Sequence, residues 1–302
     1  MDVVTGAFSY TGRWIAERLL ADGKEVRSLS RSPGPPGSEI DWAQLQFADP
    51  DVLTRSLEGA DTLYNTYWIR FERGDSTFAR AVENTFVLLE AARRAGVRRI
   101  VHVSVSNPDP ASDLPYFRWK ARLELAVAHS GLSYAIVRPT LVFGPDDLLV
   151  NNIAWGLRRF PVFLVPGRGD YRIQPVSVQD TARIAVEAGS DHRDVQVDAA
   201  GPEILTFEEL VRLLATELGV RRRFVHVPPT VALAAGRVIG WTRRDVLLTA
   251  EELAGLRSSL LTSSEEPRGS ERISDWVRAN AETLGTAYKS ELARNFRPYA
   301  PI

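Results

Sequence analysis

Through its first two thirds the chain alternates short apolar, β-rich runs with stretches of helical period, a pattern that builds a parallel sheet joined by crossover helices. Asp2–Val4 reads as the first strand and Trp14–Leu20 as the first helix, with Trp14, Ile15, Leu19 and Leu20 on its buried stripe. Val26–Leu29 reads as the second strand. Ser32–Gly37, with three prolines and two glycines, is a loop. Strand three is expected at Leu45–Phe47, a short helix at Asp51–Leu57, strand four at Thr62–Thr66, and a longer helix at Ala79–Ala95 stopped by Gly96. Ile100–Ser104, a helix over Tyr116–His129 closed by Gly131, and Tyr134–Val137 follow. Beyond Pro139 the pattern loosens. One more strand is expected at Val195–Asp198, then helices at Phe207–Leu218, Ala250–Leu260 and Ile273–Leu284.

This order predicts an α/β chain: a Rossmann-type doubly wound parallel sheet with a smaller, mainly helical C-terminal lobe. The expected division is 1–145 plus 171–200 for the sheet domain and 146–170 plus 201–302 for the lobe that would shape a substrate site. Thr262–Ser270, rich in Ser, Glu, Pro and Gly, reads as a mobile linker.

Composition removes several functions. The formal charge is −1, so no global field draws the chain to nucleic acid, and the arginines at Arg221–Arg223 and at Arg243 and Arg244 read as solvated surface. With no cysteine there is no disulfide, thiolate metal site or thiol nucleophile, and no metal site is expected. Met1–Val4 runs directly into a glycine turn without the features of a signal peptide, so a cytoplasmic location is expected. The apolar passage Val231–Trp241 is interrupted by Arg237 and two glycines and is far too short to span a bilayer. It reads as a packing helix, with membrane-surface contact the lesser alternative and no membrane insertion.

The turn Thr5, Gly6, Ala7, Phe8, Ser9, Tyr10, Thr11, Gly12 lies between the first strand and the first helix. A dinucleotide pyrophosphate meets a helix N-terminus at such a place, and glycine lets the backbone turn sharply and approach the phosphates without a Cβ in the way. Ser9 stands where the middle glycine of the T-G-x-x-G-x-x-G pattern would be. Its hydroxyl could donate to a phosphate, but it adds bulk. Strand two ends at Leu29, Ser30, Arg31, without the acidic residue that would bind the ribose hydroxyls of NAD. Arg31 facing a 2′-phosphate argues for NADP, with NAD open, because Arg31 as an ordinary surface arginine is the alternative. Asp49 has two readings: a residue near the adenine ring, or a helix N-cap before Pro50.

Tyr116 and Lys120 form Y-x-x-x-K, a spacing that puts both side chains on one helix face. An ammonium beside a phenol stabilises the phenolate, so the hydroxyl can exchange a proton with a substrate oxygen near neutral pH. The same lysine could also hold the nicotinamide ribose. Lysine occurs only as Lys24, Lys120 and Lys289 in a chain that otherwise uses arginine, which makes a chance match less common. Ser104 and Ser106 follow strand five, and Ser106 is the preferred oxyanion partner with Ser104 beside it. The alternative is that both satisfy local backbone groups.

The turn Thr5–Gly12, the stretch Asn84–Ser104, the Tyr116/Lys120 pair and the stretch Ser130–Pro145 together resemble the extended and atypical short-chain dehydrogenase/reductases. Within them the likeness is to NAD-dependent epimerase/dehydratase-like proteins, near the NmrA-like regulators and the 39 kDa NADPH-binding subunit of respiratory complex I. It is strong to about Asp180 and weak beyond. The resemblance implies that Arg138–Pro139 end strand six near the nicotinamide, that Thr66 and Tyr67 lie along the cofactor, and that Pro175–Asp180 return the chain to the core. It also implies a possible homodimer through the helices Ala79–Ala95 and Tyr116–His129. There are two departures: the bulky ending Asn65–Trp68 of strand four, which either narrows the substrate pocket or packs the edge of the sheet, and the short interval from Ser106 to Tyr116, which leaves less room for a sugar-nucleotide substrate. The function expected is an NAD(P)-dependent oxidoreductase or epimerase/dehydratase acting on a small carbonyl or hydroxyl substrate. The rival is a non-catalytic NADP(H)-binding sensor or assembly protein.

Overall fold

The strands Asp2–Thr5, Thr62–Asn65 and Arg99–Val103 are buried at almost every residue, so the sheet they build is covered on both sides. The structure, a computed structural model, describes residues 1–296. The chain starts with β1 (Asp2–Thr5), α1 (Tyr10–Ala21), β2 (Val26–Ser30), β3 (Asp41–Gln44), α2 (Pro50–Leu57), β4 (Thr62–Asn65), α3 (Phe78–Arg94), β5 (Arg99–Val103), α4 (Pro115–Ala128) and β6 (Ser133–Pro139). It then enters a second unit through β7 (Leu141–Phe143), α5 (Leu149–Arg159), β8 (Val162–Pro166), β9 (Arg172–Ile173) and β10 (Pro175–Ser177). It returns to the first unit for α6 (Val178–Ser190) and β11 (Val195–Ala199). The second unit is completed by β12 (Leu205–Thr206), α7 (Phe207–Glu217), β13 (Arg223–Val227), α8 (Pro229–Arg243), α9 (Ala250–Arg257), α10 (Ile273–Ala279) and α11 (Glu291–Asn295).

In the first unit seven strands lie in the order β11-β6-β5-β4-β1-β2-β3, and every neighbouring pair is parallel. This is the doubly wound α/β architecture expected. Val3, Leu63, Ile100 and Ile136 form one core layer with Leu53 of α2, Leu88 and Leu89 of α3 and Val127 of α4. Their strand neighbours Val4, Tyr64, Val101 and Val137 form the other with Ile15 and Leu19 of α1 and Ala182 and Ala185 of α6. The two-residue period of the strands divides them between the layers.

Strand three corrects the sequence reading. It is Asp41–Gln44, not Leu45–Phe47, and pairs with Arg27–Ser30 at the sheet's edge. An edge strand tolerates polar, exposed residues, so its composition hid it. Leu45 and Phe47 are apolar because they pack into the core just after the strand ends.

The division between units also differs from the expected one. Residues 140–145 and 171–177 belong to the second unit, because β7 pairs in parallel with β10 there. Two further two-stranded sheets, β12 with β9 and β13 with β8, join the helices of this unit around Phe143, Ile153, Leu157, Leu210, Leu214 and Trp276. Helix α5 buries Val150, Ile153, Ala154 and Leu157 at helical spacing, a signal that the sequence reading passed over. The segment Thr262–Ser270 is tied down: Ser263 N–H donates to Gln174 Oε1 at 2.9 Å and Gly269 N–H to the Ala200 carbonyl at 2.8 Å.

Candidate cofactor and active site

The strand order reverses between β1 and β4, and in open α/β sheets ligands bind outside the carboxyl ends of the strands at such a point. The turn after β1 is built for close approach. Gly6 has φ +66°, its N–H donates to the Leu29 carbonyl at 2.7 Å, and Ser9 N–H donates to the Gly6 carbonyl at 2.7 Å. A Cβ on Gly12 would lie 2.2 Å from the Gly6 carbonyl oxygen, so only glycine lets α1 begin this close to the turn. Ser9 is the N-cap residue of α1, yet its side chain makes no capping hydrogen bond. Its Oγ sits inside the turn instead, 3.0 Å and 3.1 Å from where a Cβ on Gly6 or Gly12 would stand. The positive end of the α1 dipole therefore keeps its backbone N–H groups uncapped by Ser9. Tyr10 and Thr11 start the helix, half-buried. The Phe8 ring lies against Gly34 in the proline-rich loop, and Arg31 is exposed just after β2. Burial lowers the Arg31 pKa and raises that of the Tyr67 phenol, so Arg31 still carries its charge and the phenol is neutral near pH 7.

Asp49 does cap α2: its Oδ1 accepts from the N–H groups of Asp51 and Val52, both at 3.1 Å. The end of β4 is fastened to β1 by Thr5, whose Oγ1 accepts from Thr66 N–H at 2.7 Å and Tyr67 N–H at 3.1 Å. Thr66 Oγ1 in turn donates to the Thr5 carbonyl. The Tyr67 hydroxyl accepts from Asn84 Nδ2 at 2.8 Å, and its ring packs 4.9 Å from Phe47.

Pro115 at the first turn of α4 starts the helix that carries Tyr116 and Lys120. Both meet one indole. The Lys120 ammonium lies 4.6 Å from the centre of the Trp68 ring, and the Tyr116 ring stands edge-on to it at 6.0 Å. Trp68 stacks on Phe78 at 5.5 Å, and Tyr116 is edge-on to Phe78 as well, at 5.9 Å. Lys120 is only 2% exposed, and its Nζ donates to the Val103 carbonyl at 2.9 Å. Burial pushes its pKa down from 10.5 to about 7, and Glu124 one turn further along α4 partly opposes that shift. Glu124 also takes a two-pronged pair from Arg138 on β6, whose guanidinium reaches Gln196 at 2.8 Å. Thus Arg138, expected near the nicotinamide, is engaged in an ion pair with α4.

Ser104 and Ser106 follow β5 and are both buried. Ser106 N–H donates to the Pro139 carbonyl at 2.9 Å and Ser104 N–H to the Val137 carbonyl at 2.7 Å, so β6 holds the whole segment. Asn107 then takes φ +51°, a left-handed conformation that asparagine tolerates better than most residues, and turns the chain sharply after Ser106. The Ser104 hydroxyl is buried without a hydrogen-bond partner. So are His102 Nε2 and Trp68 Nε1, which leaves three buried polar atoms on and beside the strand ends without a protein partner.

The sequence reading missed the polar layer beneath this site. Thr5 Oγ1 and Asn65 Oδ1 are 3.3 Å apart, and Asn65 Nδ2 and His102 Nδ1 are 3.1 Å apart, a buried chain across three neighbouring strands. Burial and the Lys120 ammonium hold the His102 pKa well below its usual range, so the ring is neutral at neutral pH. The available signal was asparagine and histidine inside otherwise apolar strands. Among the described residues no group of three or more His, Asp or Glu could hold a metal ion, and no helix is long and apolar enough to cross a membrane.

The family model described as NAD(P)H-binding matches residues 6–147, which carry the turn, both strand ends and α4. The chain is 33% identical over 264 residues to sterol demethylase protein B of Methylococcus capsulatus, covering 75% of this chain and 77% of that protein. It is 24% identical over 262 residues to the mitochondrial NADH-ubiquinone oxidoreductase 40 kDa subunit of Neurospora crassa, covering 83% and 68%. It spans only 23% of the length of an uncharacterized Mycobacterium tuberculosis protein to which it is 30% identical over 215 residues, 70% of this chain. Among solved structures, the NADPH-dependent quinone oxidoreductase of Escherichia coli complexed with NADPH aligns with a TM-score of 0.72 over 97% of each chain. At 19% identity that likeness concerns the fold alone. The glycine turn at the strand-order reversal, the helix-borne Tyr116 and Lys120 and these relatives together place the chain in the NAD(P)-binding family of extended short-chain dehydrogenase/reductases and their NmrA-like and complex I 39 kDa-like relatives.

Proposed function

We propose that the chain is an NADP-dependent oxidoreductase in which Tyr116 exchanges a proton with a substrate oxygen, Lys120 tunes that phenol and Ser106 holds the oxygen. The observation that carries this reading is the buried Lys120, one helical turn from Tyr116 against a shared indole. A buried ammonium is costly, and a positive charge one helical turn from a phenol is what acid–base chemistry by that phenol would use. The cofactor fits the residues present: the cradle that a Cβ on Gly12 would fill, the α1 N-terminus left uncapped by Ser9, and the unpartnered Ser104 hydroxyl. Gly6, Phe8, Ser9, Tyr10, Thr11 and Gly12 would hold the pyrophosphate, and Arg31 the 2′-phosphate. Asp49, Thr66, Tyr67 and Ser104 would line the remainder, with Lys120 and Pro139 toward the nicotinamide. When bound, NADP(H) supplies or accepts the hydride. An epimerase or dehydratase would use the same pair, but the short interval from Ser106 to Tyr116 favours a smaller substrate than a nucleotide sugar. The half-buried rings of Trp68 and Tyr116 favour a flat apolar carbonyl such as a quinone. Exposed Phe86 on α3 and Leu125 on α4 support a homodimer through those helices.

The test is NADPH oxidation across quinones and small carbonyls, with both nicotinamide cofactors titrated by fluorescence. NADPH is expected to bind at least tenfold tighter than NADH, and Arg31→Asp to flatten or reverse that preference. Equal affinities, unchanged by the substitution, would remove the NADP assignment. Gly12→Val is expected to abolish NADPH binding and to cost about 1–3 kcal/mol of stability, because its side chain meets backbone that cannot move aside. A folded Gly12→Val protein that binds NADPH like the wild type would place the cofactor elsewhere.

A sensor or assembly role is the second reading. It is favoured by the hydrogen bond that commits Lys120 Nζ to the Val103 carbonyl, and by the relative described as a subunit of NADH-ubiquinone oxidoreductase. NADPH binding without turnover across the panel decides for it.

A further inference from the structure

Helix α8 is apolar on nearly every side. Ala232, Gly236 and Gly240, four residues apart, pack inward, and a Cβ on Gly240 would lie 2.6 Å from the Asp245 carbonyl oxygen. Val231, Ala234, Val238 and Trp241 lie at spacings of three and four on the opposite side and are exposed, Val231 by 46%, Val238 by 64% and Trp241 by 82%. A helix apolar all round is ordinarily buried on every side, and here only one side is covered. Such a contiguous exposed stripe marks an interaction surface.

The charges around the stripe say what would cover it. Helix α8 contains Arg237 and Arg243, is followed by Arg244, and has no acidic residue. The next residue, Asp245, is occupied by the Tyr288 hydroxyl at 2.7 Å and the Leu292 N–H at 3.0 Å. Arg243 lies 4.6 Å over the Trp155 ring, and Trp155 is 5.7 Å from Phe160. The C-terminal end of α8 is therefore at the same end of its unit as exposed Phe160 and Val162, and Val162 pairs with Arg223 across β8 and β13. Apolar residues on a helix that carries arginines and no acid, with Asp245 beyond its end turned to Tyr288 and Leu292, complement an anionic, partly apolar surface. A second copy would set Arg237 and Arg244 against their own counterparts.

We propose that the outward face of α8 docks on the surface of an anionic membrane, with Val231, Val238 and Trp241 among the acyl chains and Arg237 and Arg244 at the headgroups. The helix is 15 residues long, about 22 Å, which is shorter than the hydrocarbon core, so it lies on the bilayer and does not cross it. Tryptophan and arginine are suited to that interface, one amphipathic and the other drawn to the negative surface potential.

Co-flotation of the full chain tests this, with vesicles of phosphatidylcholine containing phosphatidylglycerol compared against phosphatidylcholine alone. The wild type is expected to float with the anionic vesicles, to be released by high salt, and to remain behind with neutral ones. Val238→Glu combined with Trp241→Glu is expected to abolish flotation, and Arg237→Glu or Arg244→Glu to weaken it about fivefold or more each. Unchanged NADPH titration in every variant shows that the fold has survived. Failure of the wild type to bind anionic vesicles, or binding by the Val238→Glu, Trp241→Glu protein equal to the wild type, overturns the proposal. So does sedimentation showing a dimer that this double variant makes monomeric, because a second copy would then cover the face.

Discussion

Tyr116→Phe is expected to lower turnover by about 10²- to 10⁴-fold, or about 3–5 kcal/mol in the barrier, on any carbonyl or quinone that the wild type reduces. NADPH affinity should stay as it was, because the substitution removes one oxygen and keeps the ring edge-on to Trp68 and Phe78. The loss should fall on kcat and on kcat/KM together, the signature of an interaction made only in the transition state. Steady-state kinetics with a parallel cofactor titration read both quantities. Turnover within twofold of the wild type would end the acid–base assignment.

Lys120→Met is expected to separate function from stability in opposite directions. Activity should fall with the loss of the charge that tunes Tyr116, while the folded state should gain about 2 kcal/mol at pH 7. The gain arises because burial holds the Lys120 pKa near 7 against 10.5 for an exposed lysine, a cost of roughly 4 kcal/mol at neutral pH. The lost hydrogen bond to the Val103 carbonyl offsets part of it. The sign follows from proton counting. Between about pH 7 and 10.5 the unfolded chain keeps a proton on Lys120 that the folded chain has released, so this group makes stability rise with pH across that window. The stability advantage of Lys120→Met should therefore shrink by about 2 kcal/mol between pH 7 and pH 9. Urea denaturation of both proteins at the two pH values measures it. An advantage that stays constant or grows with pH would mean that Lys120 is charged and well solvated in the folded protein.

What the sequence disclosed depended on how local the signal was. The glycine turn and the Tyr116/Lys120 spacing are written within eight and five residues, and the first unit's alternation of strands and helices needs only its neighbours to be read. The Thr5–Asn65–His102 chain joins residues 60 and 37 positions apart, so nothing local marked it. Strand β3 was hidden for a different reason: an edge strand owes its place to backbone pairing, and its exposed side chains carry no apolar alternation. In the second unit the strands are two to five residues long and pair across distant segments, too short for a period to develop. Trp68, the residue that both Tyr116 and Lys120 touch, was visible as a departure from its relatives, but the contacts that give it meaning come from α4, about fifty residues later.

The interruption of the first unit by a stretch of the second has a consequence for synthesis. Helix α1 buries Ile15 and Leu19 against Ala182 and Ala185 of α6, which leaves the ribosome about 170 residues later. At typical elongation rates that delay is roughly 10–30 s, during which the side of the nascent sheet that α1 and α6 share has only α1 to cover it. Folding of this unit cannot proceed simply from the N-terminus outward. A newborn chain must either wait in a partly assembled state or be shielded by a chaperone until α6 and β11 arrive to close it.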